Sequence, residues 1–112
     1  MTPDAITVVI VTHDSAAHVQ ETLAALLPQV RDDDELIVVD NGSSDGTGAV
    51  VRGATPHARL LEQRRNLGFA GGASAGAAAA AAPLLLFLNP DARPEPGCLD
   101  ALRLARIEPG LG

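Results

Sequence analysis

Four short apolar runs, each giving way to a polar loop, leave this chain few ways to fold. Ile6–Thr12 (Ile-Thr-Val-Val-Ile-Val-Thr) is β-branched throughout; Glu35–Asp40, Ala58–Glu62 and Leu84–Leu88 follow it at intervals. Runs of this length and composition, bounded by turn residues, read as strands, the first, second and fourth buried on both faces. Helix-like segments fill the intervals. Val19, Leu23, Leu26 and Val30 recur at helical spacing, with Asp14 or Ser15 as N-cap. A short helix is expected over Asp45–Val51, ended by Gly53 and Pro56, and a longer one over Ala73–Ala82 on alanine propensity, stopped by Pro83. A last helix is expected over Pro96–Ile107. Strand and helix in strict alternation predict an α/β domain: a Rossmann-like, mostly parallel sheet of about four strands with flanking helices and right-handed crossovers.

The chain has 112 residues, enough for one small domain or part of a larger one. Eight basic against fourteen acidic residues give a net charge of −6, which speaks against a nucleic-acid partner. A single cysteine, Cys98, excludes an internal disulfide and suits a reducing compartment; it is expected to pack as a small apolar group. No apolar run reaches the roughly 18 residues of a membrane span without a break, so no span is expected. The N-terminal Met-Thr-Pro-Asp-Ala has no basic stretch ahead of an apolar one, so no signal peptide is expected. A cytoplasmic location follows as the expectation, with the inner face of the membrane open to a longer parent protein. Asp32–Asp34 reads as a solvated loop, His18 and His57 as surface residues, and Arg64-Arg65 as a solvated pair.

Four segments could carry chemistry, and each follows a strand. They are Thr12-His13-Asp14, Asp40-Asn41-Gly42-Ser43, Asn66-Leu67-Gly68-Phe69-Ala70-Gly71-Gly72 and Asn89-Pro90-Asp91. In an open parallel sheet, ligands bind beyond the carboxyl ends of the strands. Thr12, Asp40 and Asp91 should therefore meet at one rim although they are far apart in sequence. Each also has a plainer reading: Asp40 as a loop cap, Asp91 as a turn residue after Pro90, and His13 as a packing or stacking group. The glycine cluster could be a simple helix-start turn.

These segments resemble the N-terminal half of an inverting family 2 glycosyltransferase with the GT-A fold. The resemblance rests on Val9-Ile10-Val11-Thr12, Ile37–Thr47 (Ile-Val-Val-Asp-Asn-Gly-Ser-Ser-Asp-Gly-Thr), Asn66–Gly72 and Leu86-Phe87-Leu88-Asn89-Pro90-Asp91, in family order across nearly the whole chain. Asn66–Gly72 together with Asn89-Pro90-Asp91-Ala92 is similar to the rhamnosyl- and galactofuranosyl-transferring branches. The resemblance implies a donor site for a UDP- or dTDP-type nucleotide-sugar built from Thr12, His13, Asp40, Asn41, Asn66, Gly68, Gly72, Asn89 and Asp91. Thr12 and Asp40 would take the base, whose ring N–H suits a carboxylate acceptor. Asp91 matches the last acid of the family's Asp-x-Asp motif and would reach a Mg²⁺ or Mn²⁺ ion on the donor diphosphate, a hard cation suited to oxygen ligands. The acceptor would be a glycan or a lipid-linked group.

The chain also departs from the family pattern. His13-Asp14 stands where many relatives carry an aromatic residue and Asn, and Asn89 replaces the first acid of Asp-x-Asp. The family's acceptor-binding half, with its general base, lies downstream of a fourth strand such as Leu84–Leu88. No catalytic base is therefore expected among these 112 residues, and a homodimer is expected to cover whatever apolar face is left open. Two rival classes remain. A sugar-nucleotidyltransferase would want a glycine- and basic-rich loop after the first strand, where this chain has His13-Asp14-Ser15. A non-catalytic nucleotide-binding α/β module would need no further residues. Dinucleotide oxidoreductases and P-loop enzymes lack their glycine signatures here.

Overall fold

The computed structural model describes residues 2–107. Its strands are β1 (Ile6–Thr12), β2 (Glu35–Asn41), β3 (Arg59–Gln63) and β4 (Leu84–Leu88). Its helices are α1 (Ala16–Leu26), α2 (Thr47–Ala54), α3 (Gly68–Ala79) and α4 (Cys98–Ile107), with a short 3-10 turn over Leu27–Gln29. All strands pair in parallel, in the order β3-β2-β1-β4. The expected α/β architecture is what the chain adopts.

The topology explains where the helices lie. From β1 to β3 the chain steps outward one way; from β3 to β4 it crosses back over two strands. With right-handed crossovers, that reversal sends α3 to the opposite face of the sheet from α1 and α2. Two cores result. Ile6, Val8, Ile10, Leu36 and Val38 pack with Val19, Leu23 and Leu26 of α1, Val51 of α2 and Leu99 of α4. Val9, Val11, Ile37 and Val39 form the other core, under Ala73, Ala75 and Ala79 of α3. Side chains alternate between these faces along each strand, which is why β1 and β2 are apolar without a break. The reversal also creates a switch point between β1 and β4, the place where open α/β sheets bind ligands.

α3 departs most from expectation. It begins five residues before Ala73 and ends at Ala79 rather than Ala82. Gly68 enters it at φ +76, with its N–H donated to Asn66 Oδ1 at 2.8 Å. Gly72 and Gly76 then lie directly on β1: a Cβ at Gly76 would stand 2.4 Å from Val9 Cγ1, and one at Gly72 would stand 2.6 Å from Val11 Cγ1. Valine side chains on a central strand are stiff and cannot swing aside, so glycine is what lets the helix approach. Beyond Ala80 the chain is extended, with Ala81 N–H donated to Glu35 Oε1 and Ala82 N–H to Thr7 Oγ1. α2 runs Thr47–Ala54 instead of Asp45–Val51 and α4 starts at Cys98 instead of Pro96, each shifted by a loop geometry that propensity does not encode.

Asp34 overturns the reading of Asp32–Asp34 as solvated. Its side chain is fully buried, beside an Arg103 guanidinium that is 4% exposed. Arg103 donates to both Asp34 carboxylate oxygens, at 2.8 and 2.5 Å, and also to the Asp4 carbonyl at 2.8 Å. Ile6 N–H and Arg31 N–H each donate to Asp34 at 2.8 Å. One carboxylate thus ties the start of β1, the approach to β2 and α4 together. His18, His57, Arg64 and Arg65 are exposed as expected, and Cys98 packs against the α1-side core.

Candidate functional site

The register pairs Thr12 with Asp40, so the ends of β1 and β2 are level. Thr12 Oγ1 donates to Asp40 Oδ1 at 2.9 Å, and Ser43 Oγ donates to the same oxygen. Among the described residues no donor reaches Asp40 Oδ2. Asp40 is 6% exposed and Thr12 is fully buried. Thr12 therefore supports the carboxylate from behind.

The loops after β1 and β2 are locked to each other. His13 Nδ1 lies 2.8 Å from the Asn41 carbonyl, which places the ring proton on Nδ1 in the neutral form and leaves Nε2 facing Asp14 Oδ2 at 3.5 Å. Asp14 N–H donates to Ser43 Oγ and Ser44 N–H to Asp14 Oδ1, both at 2.8 Å. Among the described residues Asp14 is the one non-glycine residue with positive φ, at +47. Ser15 holds the N-cap position of α1, yet its side chain does not cap the helix. The cap comes from the other loop: Ala16 N–H donates to Asp45 Oδ2 at 3.1 Å and Ser15 N–H to Thr47 Oγ1 at 2.9 Å. The Thr47 hydroxyl, assisted by the Ala16 and Thr47 N–H groups, holds the Asp45 carboxyl below its usual pKa. Ser43, Asp45 and Thr47 carry this clasp; Ser43 belongs to the Asp40–Ser43 segment expected to carry chemistry, but none of the three is among the residues assigned to the donor site. Their signal lay in the turn chemistry of Asp40–Thr47, where short polar side chains bond nearby backbone.

Asn41, the last residue of β2, points the other way. It is 2% exposed, and its Nδ2 donates to the Gly68 carbonyl at 3.0 Å, pinning the first turn of α3. Its Oδ1 is buried without a partner among the described residues. Gly42, at φ +67, presses against the backbone of Arg65 and Asn66, where a Cβ would come to 3.0 Å of Arg65 Cα. Asn66 and Gly68 lie exposed on this shoulder, while Gly72 is buried beneath it.

Across the switch point, Asn89–Ala92 forms a turn closed by Ala92 N–H on the Asn89 carbonyl at 3.1 Å. Thr22 Oγ1 of α1 holds the Pro90 carbonyl at 2.8 Å, which fixes the turn. Asn89 and Asp91 are exposed. β1 alone separates β2 from β4, so the strands carrying Asp40 and leading to Asp91 are about 10 Å apart. A hollow of about 450 Å³ lined by Arg31, Asp34, Thr55 and His57 lies at the opposite, amino-terminal end of the strands; at the carboxyl rim Asn66, Gly68, Asn89 and Asp91 stand exposed around the buried Thr12, Asp40 and Asn41 and form a shelf.

The shelf suits a divalent ion in one way only. Among the described residues no three His, Cys, Asp or Glu side chains cluster to hold a metal. Asp40 has one oxygen taken by two hydroxyls, Asp14 and Asp45 are engaged by backbone N–H groups of the loop clasp, and Asp91, on a braced and solvent-facing turn, is an accessible hard oxygen donor. Mg²⁺ and Mn²⁺ that arrive with a diphosphate often need no more than one or two carboxylates, since phosphate and water complete the shell. The residues fit such an ion.

A doubly wound α/β sheet with acids on either side of its switch point is the class of domain these observations define. Residues 7–106 match glycosyl transferase family 2, and the chain belongs to that family. An N-acetylglucosaminyl-diphospho-decaprenol L-rhamnosyltransferase from Mycobacterium tuberculosis is 32% identical over 88% of this chain and 36% of its own length. The galactofuranosyltransferase GlfT1 of Mycolicibacterium smegmatis is 41% identical over 57% of this chain and 21% of its own length. This chain thus spans about a third or less of the curated relatives it matches. Among solved structures, a mannosyltransferase from Pyrobaculum calidifontis in complex with GDP-Man and Mn²⁺ superposes with a TM-score of 0.78 at 27% identity, covering 93% of this chain and 32% of that one. S. aureus TarS shares the fold, with a TM-score of 0.81 at 20% identity over 90% of this chain and 32% of its own. Among the described residues, no helix is long and apolar enough to cross a membrane.

Proposed function

We propose that this chain is the donor-binding part of a glycosyltransferase that moves a sugar from a nucleoside diphosphate to an acceptor hydroxyl with inversion. The observation that carries the reading is the placing of Asp40 and Asp91 on either side of β1 at one rim. Asp40 Oδ2 accepts the ring N–H of a uracil or thymine base, and the His13 ring borders that base. The diphosphate crosses the end of β1 toward the Asn89–Asp91 turn. Asp91 would hold the Mg²⁺ or Mn²⁺ ion, which, when bound, would supply Lewis-acid stabilisation of the departing nucleoside diphosphate. Asn41 holds the glycine turn, so that Asn66, Gly68 and Gly72 shape the donor shelf while Asn89 flanks Asp91. The name of one relative, which includes an N-acetylglucosaminyl-diphospho-decaprenol, supports a lipid-linked or glycan acceptor, and with it action at a membrane surface. No described residue is assigned the proton from the acceptor hydroxyl, and that group belongs to the part of the enzyme that binds the acceptor.

Calorimetry of the chain with UDP, dTDP and GDP, with and without Mn²⁺, tests this. Mn²⁺-dependent binding of UDP or dTDP is expected, and Asp91→Ala should weaken it at least about tenfold, equivalent to 1.4 kcal/mol. A folded chain that binds no nucleotide, or binds equally well without Asp91, ends the assignment.

Assembly follows from β4. Leu85 and Phe87 point to the α3 side of the sheet but are 40% and 41% exposed, and β4 is an edge strand. Unpaired edges and apolar faces favour association, so the isolated chain is expected to sediment as a dimer. A monomer at concentrations of about 100 μM, roughly a hundredfold above a micromolar dissociation constant, would count against it.

A further inference from the structure

We propose that Ser43 is a positioning residue that aims the Asp40 carboxylate, and that base selection depends on its hydroxyl. The proposal rests on the nucleotide reading above. Ser43 Oγ receives the Asp14 N–H at 2.8 Å and donates its own hydrogen to Asp40 Oδ1. A serine hydroxyl has one hydrogen to give. With Asp14 occupying the oxygen, that hydrogen is directed at the carboxylate. Thr12, on the neighbouring strand, donates to the same oxygen at 2.9 Å, the shorter of its two contacts, the other being the Val39 carbonyl at 3.3 Å. Both hydroxyls thus converge on Oδ1, the carboxylate cannot rotate without losing both bonds, and Oδ2 is presented as a lone acceptor.

The backbone supports this arrangement. Asp14 stands at φ +47, where non-glycine residues are uncommon and strained. Two bonds to the β2–α2 loop hold it there: its N–H to Ser43 Oγ, and Ser44 N–H to its Oδ1. A bend that served only to cap α1 would not need Asp14, because Asp45 and Thr47 already satisfy the Ala16 and Ser15 N–H groups. The strained bend instead delivers an N–H to Ser43. The ligand selected by a fixed lone acceptor is a base with a ring N–H at its recognition edge, which uracil and thymine possess and their N3-methylated forms lack.

The test compares UDP with N3-methyl-UDP, in the presence of Mn²⁺, on the wild-type chain, Ser43→Ala and Ser43→Thr. Ser43→Ala is expected to weaken UDP binding roughly three- to tenfold, the value of one hydrogen bond, and to leave N3-methyl-UDP binding unchanged. Ser43→Thr, which retains the hydroxyl, should restore UDP binding. If Ser43→Ala does not fold, Ser43→Cys carries the same comparison, since it keeps the size and weakens the donor. Equal losses for both nucleotides would show that Ser43 merely shapes the loop, and an unchanged UDP affinity would show that it aims nothing; either overturns the proposal while leaving donor binding intact. A wild-type chain that ignores UDP overturns the donor-site reading itself, and this proposal with it.

Discussion

Arg103→Met will destabilise the domain by about 3–5 kcal/mol, the usual effect of removing one partner from a buried ion pair. The Arg103 and Asp34 side chains are 4% and 0% exposed. Without the guanidinium, Asp34 keeps the N–H bonds from Ile6 and Arg31 but loses its countercharge. The Asp4 carbonyl also loses its donor. Domains of this size are stable by only about 5–15 kcal/mol, so the variant should melt well over 10 °C lower, at about 4–8 °C per kcal/mol. Replacing both partners by apolar residues often rescues an isolated buried pair. Here it should rescue little, because the Ile6 and Arg31 N–H groups would lose their acceptor. Urea titration of the single and double variants measures both effects; a single-variant loss below about 1 kcal/mol would mean that water reaches the pair.

The pH dependence has a definite sign. Burial alone would raise the Asp34 pKa, but the Arg103 hydrogen bonds, the Arg31 and Ile6 N–H groups and the Arg103 charge outweigh it and hold the carboxyl below its ordinary 3.8. A folded pKa below the unfolded one contributes stability that is fully present above the unfolded value and is lost as pH falls through the folded one. Asp4, Asp33 and Asp45 are lowered too, in each case first by a threonine hydroxyl. Stability should therefore fall as pH drops below about 4. In Arg103→Met burial dominates at Asp34 and raises its pKa above the unfolded value, so the variant's deficit should begin to narrow above pH 4, as the carboxyl takes up its proton, and narrow further below it as the wild-type chain loses stability.

What could be read from the sequence divides by range. β1 and β2 were legible because a strand covered on both faces must be apolar throughout, and the return to a strand after each helix fixed the class. Asp34 was misread because three consecutive acids resemble a solvated loop, while the residue that buries one of them lies 69 positions away. The start of α3 was missed for a related reason. Glycine lowers helix propensity, yet Gly72 and Gly76 are there to meet Val9 and Val11, a contact between β1 and a helix some sixty residues later. At the rim, the acids and their shared edge were legible from strand ends alone. The direction of each side chain was not: Thr12 turns in to brace Asp40, and Asn41 turns under α3. The period of two along β2 separates Asp40 from Asn41 once the faces are known, but a strand that is apolar on both faces does not mark which is which.

Asp40→Asn will both weaken UDP binding and shift the base preference. The replacement keeps the shape of the side chain. Thr12 and Ser43 each present a hydroxyl hydrogen to the Oδ1 position, and Ser43 Oγ already receives the Asp14 N–H, so the new amide is expected to place its carbonyl there and its NH₂ where Oδ2 was. A uracil N–H then meets a donor instead of an acceptor. A hydrogen bond to a charged group is worth about 1.5–3 kcal/mol, so the loss should be roughly 10- to 150-fold. Cytosine presents a ring acceptor at the position of the uracil N–H. In the wild-type chain that lone pair faces a carboxylate, and CDP should bind poorly; in Asp40→Asn it faces an amide donor. CDP binding should therefore rise as UDP binding falls, and a general loosening of the pocket could not produce opposite changes in the two. Calorimetry with UDP and CDP on both proteins reads the exchange directly. Parallel losses for both nucleotides would place the base elsewhere on the rim, while opposite shifts would fix Asp40 Oδ2 as the atom that reads it.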